Sequence, residues 1–170
     1  MKQFCLFLIS YFIFHISVAF SQKTAEDFHN NGIEKAKAKE YKSAIEDFNK
    51  AIELSPESAP SYYNRGLAKS DLKDFVGAIK DYTKAIELKP DYLFAYLNRG
   101  IVNSELGFYK NAISDYTEVL KLKSDYAAAY MNRGVAKYNI GDQTSACDDW
   151  RKAEALGFAQ AQDMIKQSCK

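Results

Sequence analysis

Glycine recurs at Gly32, Gly66, Gly100 and Gly134, a strict interval of 34 residues. With glycine at about 7% of residues in ordinary proteins, four hits in preset columns arise by chance roughly 2 times in 100,000. Writing residues 25–58, 59–92, 93–126 and 127–160 beneath one another puts these glycines at position 8 and brings other columns into register. Ala44, Ala78, Ala112 and Ala146 share position 20. Aromatics hold position 4 (Phe28, Tyr62, Tyr96, Tyr130) and position 24 (Phe48, Tyr82, Tyr116, Trp150), while Ala51, Ala85, Val119 and Ala153 hold position 27. Within a unit, Ala44, Ile45, Phe48, Ala51 and Ile52 follow the rhythm of one helical face. Gly at 8 and Ala at 20 let two antiparallel helices approach closely, and the aromatics fill the space around that contact. Pro56 and Pro90, both at position 32, stop the second helix and turn the chain into the next unit.

This pattern of aromatic, Gly, Ala, aromatic, Ala and Pro resembles the tetratricopeptide repeat family over residues 25–160. The resemblance implies an all-α, right-handed α-solenoid of four helical hairpins. Its end repeats depart from the pattern: repeat 1 has Asn31 where the others have Arg, repeat 3 has Ser124 at the proline position, and repeat 4 has Phe158 there. Residues 158–168 read as a C-terminal capping helix whose Ala161, Met164 and Ile165 cover the last repeat. Such caps keep the open core of a solenoid dry.

A charged motif accompanies the apolar columns. Arg65, Arg99 and Arg133 stand at position 7, and Asp47, Asp81, Asp115 and Asp149 at position 23. The separation of 18 residues across each boundary predicts structural ion pairs between repeats: Asp47 with Arg65, Asp81 with Arg99, and Asp115 with Arg133. The competing reading turns these arginines outward to grip an anionic ligand.

Ahead of the repeats, Lys2 precedes an apolar stretch from Phe4 to Phe20, with small residues in Ala19-Phe20-Ser21. This is secretory signal architecture, giving residues 1–21 as a leader cleaved near Ser21 and a mature protein in the periplasm or outside the cell. A retained segment would instead make a membrane anchor, the one route by which the chain would meet a membrane. After cleavage Cys147 and Cys169 remain, ten residues before Gly157 and twelve after it. Near-equal arms about that turn place the two thiols side by side as a disulfide, which an exported protein can keep. The alternative is two unpaired thiols buried as small apolar groups.

In the family this chain resembles, the first helices line a concave surface whose positions 2, 5, 6, 9, 12 and 13 meet peptides. Position 6 holds Asn30, Asn64, Asn98 and Asn132. A column of amides one repeat apart resembles the asparagine ladder of O-linked N-acetylglucosamine transferase and can hold a peptide main chain without demanding a sequence. Tyr63, Phe94, Leu97, Met131 and Tyr138 surround it as a mildly apolar groove. The clamp that grips acidic chaperone tails needs cations, and the matching positions hold His29, Ile33, Phe94 and Asn98, so that partner class is rejected. Otherwise the asparagines merely bond neighbouring helices.

No catalytic chemistry surfaces. The sequence lacks H-E-x-x-H, G-x-S-x-G, G-x-x-x-x-G-K-[ST] and C-x-x-C, and His29, alone after leader removal, reads as a surface residue. No cofactor or metal site is expected, and no small-molecule substrate. With 23 basic against 22 acidic side chains, a net charge of +1 supplies no field for nucleic acid. The expectation is an exported, non-enzymatic scaffold binding extended segments of other proteins. The alternative is a module that self-associates, as a homodimer, or a membrane-tethered assembly factor of the cell envelope.

Overall fold

The computed structural model describes residues 23–169. The expected leader, residues 1–21, lies outside them. Hairpin follows hairpin: α1 (Ala25–Lys37) with α2 (Tyr41–Leu54), α3 (Ala59–Asp71) with α4 (Phe75–Leu88), α5 (Leu93–Glu105) with α6 (Tyr109–Leu122), and α7 (Ala127–Asn139) with α8 (Gln143–Ala155). A short α9 (Ala161–Ser168) packs on α8. The described chain is an all-α solenoid. First helices of successive repeats touch one another, which puts α1, α3, α5 and α7 on the inner side of the stack.

The glycine column sets how close the hairpins close. A Cβ added at Gly32, Gly66 or Gly100 would lie 2.6, 2.7 or 2.8 Å from a ring carbon of Phe48, Tyr82 or Tyr116, and one at Gly134 would lie 2.5 Å from Nε1 of Trp150. Each position-24 ring therefore occupies the space a side chain at position 8 would need. These four rings and the four position-20 alanines are buried. The core divides into clusters that straddle boundaries: Ala44 and Phe48 with Ala68, Ala78 and Tyr82 with Val102, and Tyr116 and Val119 with Ala129 and Ala136. A last cluster joins Trp150 and Ala153 to Ala161 of α9. No hairpin buries its own apolar face alone, so the stack is stable only as a series.

Every turn within a hairpin uses one residue in the left-handed region: Lys39 (φ 62°), Lys73 (φ 64°), Gly107 (φ 76°) and Gly141 (φ 86°), all at position 15. The following N–H reaches back to the helix, as in Glu40 to the Lys35 carbonyl at 2.9 Å and Asp74 to that of Lys69 at 2.9 Å. This is a Schellman closure, and it satisfies the last carbonyls of the first helix. Gly157 (φ 88°) closes α8 the same way, with the Phe158 N–H on the Ala153 carbonyl at 3.0 Å. That commitment delays the capping helix, which begins at Ala161 and not at 158; Phe158 packs sideways onto the Trp150 cluster with Met164 and Ile165. Cys147 on α8 and Cys169 beyond α9 are joined by a disulfide, Cα atoms 5.7 Å apart. Closing a loop of this size stabilises the cap by about 3 kcal/mol in the chain-entropy account.

The ion pairs form within repeats, which corrects the spacing of 18. Arg65 donates from Nε and Nη2 to Asp81 at 2.9 and 2.6 Å, Arg99 to Asp115 at 3.1 and 2.7 Å, and Arg133 to Asp149 at 2.9 and 2.8 Å. Positions 7 and 23 flank the glycine–ring contact of positions 8 and 24, so the hairpin itself brings them face to face. Asp47 pairs with Lys35 at 2.6 Å, because repeat 1 has Asn31 in place of the arginine. The link between repeats is still made by arginine, through Nη1: Arg65 to Asn49 at 2.6 Å, Arg99 to Thr83 at 2.9 Å and Arg133 to Thr117 at 3.1 Å. Each guanidinium also lies over the Tyr three residues before it, as Arg99 does over Tyr96 with 5.6 Å to the ring centroid.

Repeat 3 differs in one partner. Lys69 and Lys137 give Asp81 and Asp149 a second cation at 2.8 Å, whereas Asp115 receives only the amide of Asn103 at 3.1 Å. Burial pushes the Asp115 carboxyl above 3.8 despite Arg99 and Asn103. Beside Asn103 a cleft of about 380 Å³ opens toward Thr83 and Lys110.

Two outcomes follow for stability, both read by urea unfolding. Arg99→Ala should cost about 3–5 kcal/mol by stranding a buried carboxylate, and Arg65→Ala or Arg133→Ala less, about 1–3 kcal/mol, since a lysine remains; equal losses at all three would reject this account. Because the folded chain holds the Asp115 proton more tightly than the unfolded one, its contribution is full below the ordinary Asp value and is lost as pH rises through the raised value. Asn103→Lys should remove that loss and stabilise the chain at pH 7, and a variant no more stable than the parent would count against it.

Candidate functional site

The inner face is assembled from one stripe of each first helix. Residues at positions 6, 9 and 13 lie three and four apart and share a helical face, so α3 presents Asn64, Leu67 and Asp71, and α5 presents Asn98, Ile101 and Glu105. Among the groove residues expected from the sequence, Phe94 is 50% and Tyr138 45% exposed. Ile101, 37% exposed, joins them. Leu97 does not: at 9% exposure it belongs to the core cluster between repeats 3 and 4. Met131 packs largely against the Trp150 cluster, and its carbonyl accepts from Trp150 Nε1 at 3.3 Å. Position 5 thus points between first helices, and Leu97 is removed from the binding surface.

The four asparagines are not equivalent. Asn98 donates from Nδ2 to the Tyr63 hydroxyl at 2.9 Å and to the Phe94 carbonyl at 2.9 Å, leaving Oδ1 as its acceptor. Asn64 Nδ2 meets His29 Nε2 at 3.4 Å. In both cases position 6 leans on position 5 of the preceding repeat. Asn132 would meet Leu97 in that way, and Leu97 offers no polar atom; the Asn132 amide has no side-chain partner among the described residues, and neither has the exposed Asn30. The column is therefore part structural link and part unsaturated amide.

Tyr63 is wedged between Tyr82 and Tyr92, with centroids 5.9 and 4.9 Å away. Burial pushes its hydroxyl up to about 12, so it stays a neutral partner for Asn98. His29 also departs from the surface role expected of it. It is half-buried, its Nδ1 lies 2.9 Å from Ser61 Oγ, and Ser61 Oγ lies 2.8 Å from Ser58 Oγ. Ser61 is 1% exposed, and its contact with His29 joins repeat 1 to repeat 2. The signal for it was the shared position 5 of His29 and Tyr63, both capable of accepting the next asparagine. Between α1 and α3, beside Asn64, a cleft of about 190 Å³ is lined by Ile33, Tyr41, Phe48 and Leu67 together with Lys37 and Asp71.

Burial lowers the His29 pKa from 6.5, and Glu26 offsets this only in part. An Nε2 that accepts from Asn64 must be unprotonated, so protonation breaks the link. Below the unfolded value the unfolded chain binds a proton that the folded chain resists: the stability is present above 6.5 and is lost as pH falls through the lowered value. Subtracting the stability of His29→Gln from that of the parent, between about pH 5 and 7, should give a curve that rises with pH. A flat difference would show that His29 makes no such link.

Sequence profiles of one family match the chain in three places: Tetratricopeptide repeat at residues 59–92, TPR repeat at residues 34–73, and Tetratricopeptide repeat at residues 97–162. A search of curated protein sequences returns no match. Among solved structures, a crystal structure of MamA superposes with a TM-score of 0.79 at 25% identity, covering 87% of this chain and 86% of that one. The OM64 TPR domain of Arabidopsis gives 0.65 at 29% identity, with 68% and 95% covered. The first TPR of Spaghetti (RPAP3), bound to the HSP90 peptide SRMEEVD, gives 0.68 at 26% identity, with 69% and 94% covered. With the glycine–ring hairpins and the repeat columns already in place, these matches identify the chain as a member of the tetratricopeptide repeat family, a scaffold for protein–protein interaction.

Proposed function

We propose that the chain is an exported scaffold that binds extended segments of other proteins along the inner face of α1, α3, α5 and α7. The observation that carries this reading is the unsaturated amide column. Asn98 Oδ1 and the Asn132 amide stand without side-chain partners among the described residues, beside exposed Phe94, Ile101 and Tyr138. Amides can bond a peptide main chain whatever its sequence, while the apolar groups take alternate side chains. The neighbour bound to the HSP90 peptide is a precedent for peptide capture on this architecture. Acidic tails of that kind are not the ligand proposed here, since His29 has its pKa lowered by burial and Ile33, Phe94 and Asn98 carry no charge.

Export rests on Lys2 with the apolar stretch Phe4 to Phe20, and the Cys147–Cys169 disulfide supports it, because such bonds persist in oxidising compartments. Self-association is the second reading. It draws on the exposed Val76, Phe108 and Ile140, on and beside the hairpin turns. Light scattering across a range of concentrations separates the two, with a concentration-dependent dimer favouring the second.

A displayed library of random peptides tests the first. Binders selected on the parent should lose about 10–100-fold in affinity against a variant carrying Asn64→Ala, Asn98→Ala and Asn132→Ala. Helicity by circular dichroism should be retained. Unchanged affinity in a folded triple variant would remove the amide column from the function.

A further inference from the structure

The groove has a sign, and it comes from which charges the fold consumes. Every basic side chain on the four first helices is already engaged. Lys35 pairs with Asp47, Lys37 with Glu34, Arg65 and Lys69 with Asp81, Arg99 with Asp115, and Arg133 and Lys137 with Asp149. The acids of the same helices are not all matched. Asp27 caps α1 through Thr24, and Glu34 holds Lys37, but Glu26, Asp71 and Glu105 have no ion-pair partner among the described residues. All three are exposed. Asp81 and Asp149 each face two cations, yet with the four position-23 aspartates counted the layer sets nine acidic side chains against seven basic ones, a negative balance in a chain that is nearly neutral.

Two of these acids sit in a repeated setting. Asn64, Leu67 and Asp71 on α3 recur as Asn98, Ile101 and Glu105 on α5: an amide, an apolar side chain and a carboxylate along one helical face. Repeat 1 breaks the triplet with Lys37, and repeat 4 with Asn139. The cleft between α1 and α3 supplies a seat beside the first triplet, walled by Ile33 and Leu67 and lined also by Asp71 and by Lys37, whose charge is paired with Glu34.

We infer that this groove takes an extended protein segment in which apolar side chains alternate with lysine or arginine, two basic residues reaching Asp71 and Glu105. The inference rests on the inner face being a peptide-binding surface and adds the charge of the partner. Packed helices stand roughly 8–10 Å apart and an extended chain advances about 3.3 Å per residue. The two basic residues are accordingly two or four residues apart, the even steps that keep both side chains on one face of the extended segment.

Three degenerate peptide libraries of alternating apolar and variable residues, with Lys/Arg, Gln or Asp/Glu at two variable sites two or four residues apart, test this on the full chain by fluorescence anisotropy. The basic library should bind about three- to thirty-fold more tightly than the neutral one, and the acidic one more weakly still. About 0.5 M salt should erase the difference. A variant with Asp71→Lys and Glu105→Lys, both at exposed positions and with helicity checked by circular dichroism, should reverse the order. Equal binding of all three libraries, or a preference that survives the double variant, overturns the charge inference while leaving the peptide-binding reading standing. No binding by any library overturns both.

Discussion

The contact of a bare glycine backbone with an aromatic ring, made once in each hairpin, is the constraint from which the rest of the architecture follows. Phe48, Tyr82, Tyr116 and Trp150 lie where any side chain at Gly32, Gly66, Gly100 or Gly134 would stand. That contact sets the distance between the two helices of a repeat. Through it, position 7 faces position 23, and the buried aspartates find their arginines without crossing a boundary. The third nitrogen of each guanidinium then becomes the group that reaches the preceding repeat. One short contact thus fixes both the hairpin and the polar joint between hairpins.

The same arrangement decides what remains for recognition. An interior aspartate has to be compensated, and the compensation comes from cations on the helices that line the inner face. Those cations are withdrawn from the groove, which keeps amides, a few apolar side chains and unmatched carboxylates. Stability and recognition are linked here because the groove inherits the charges that the core does not use. Repeat 3 shows how local this is: where Asn103 stands in the lysine position, burial raises the Asp115 pKa, and a cleft lined by Asn103 and Asp115 lies beside the pair.

Much of this was legible in the sequence. Glycine, alanine and aromatic columns gave the hairpins, and the arms around Gly157 gave the Cys147–Cys169 pair. The charged residues were legible as a set, but their partners were not, because a spacing of 18 looks like a step between repeats until the hairpin is folded at position 15. Position 15 itself was hidden: Gly107 and Gly141 announce a left-handed turn, while Lys39 and Lys73 adopt it without the usual residue. Leu97 was misplaced because exposure at position 5 depends on how first helices lean on one another, a tertiary property that periodicity does not carry. His29 was undervalued for the same reason, since its partners Ser61 and Asn64 belong to the next repeat.

The arginine that spans two hairpins has a mechanical consequence. A guanidinium is planar and holds its donors at fixed angles, and Arg99 uses that plane to join Asp115 on one hairpin to Thr83 on the previous one while resting on Tyr96. Three such plates along the stack each tie a first helix to the second helix of the hairpin before it. A ligand therefore meets a ruler already graduated, with Asn64, Asn98 and Asn132 as its marks, and it is the ligand whose spacing must conform.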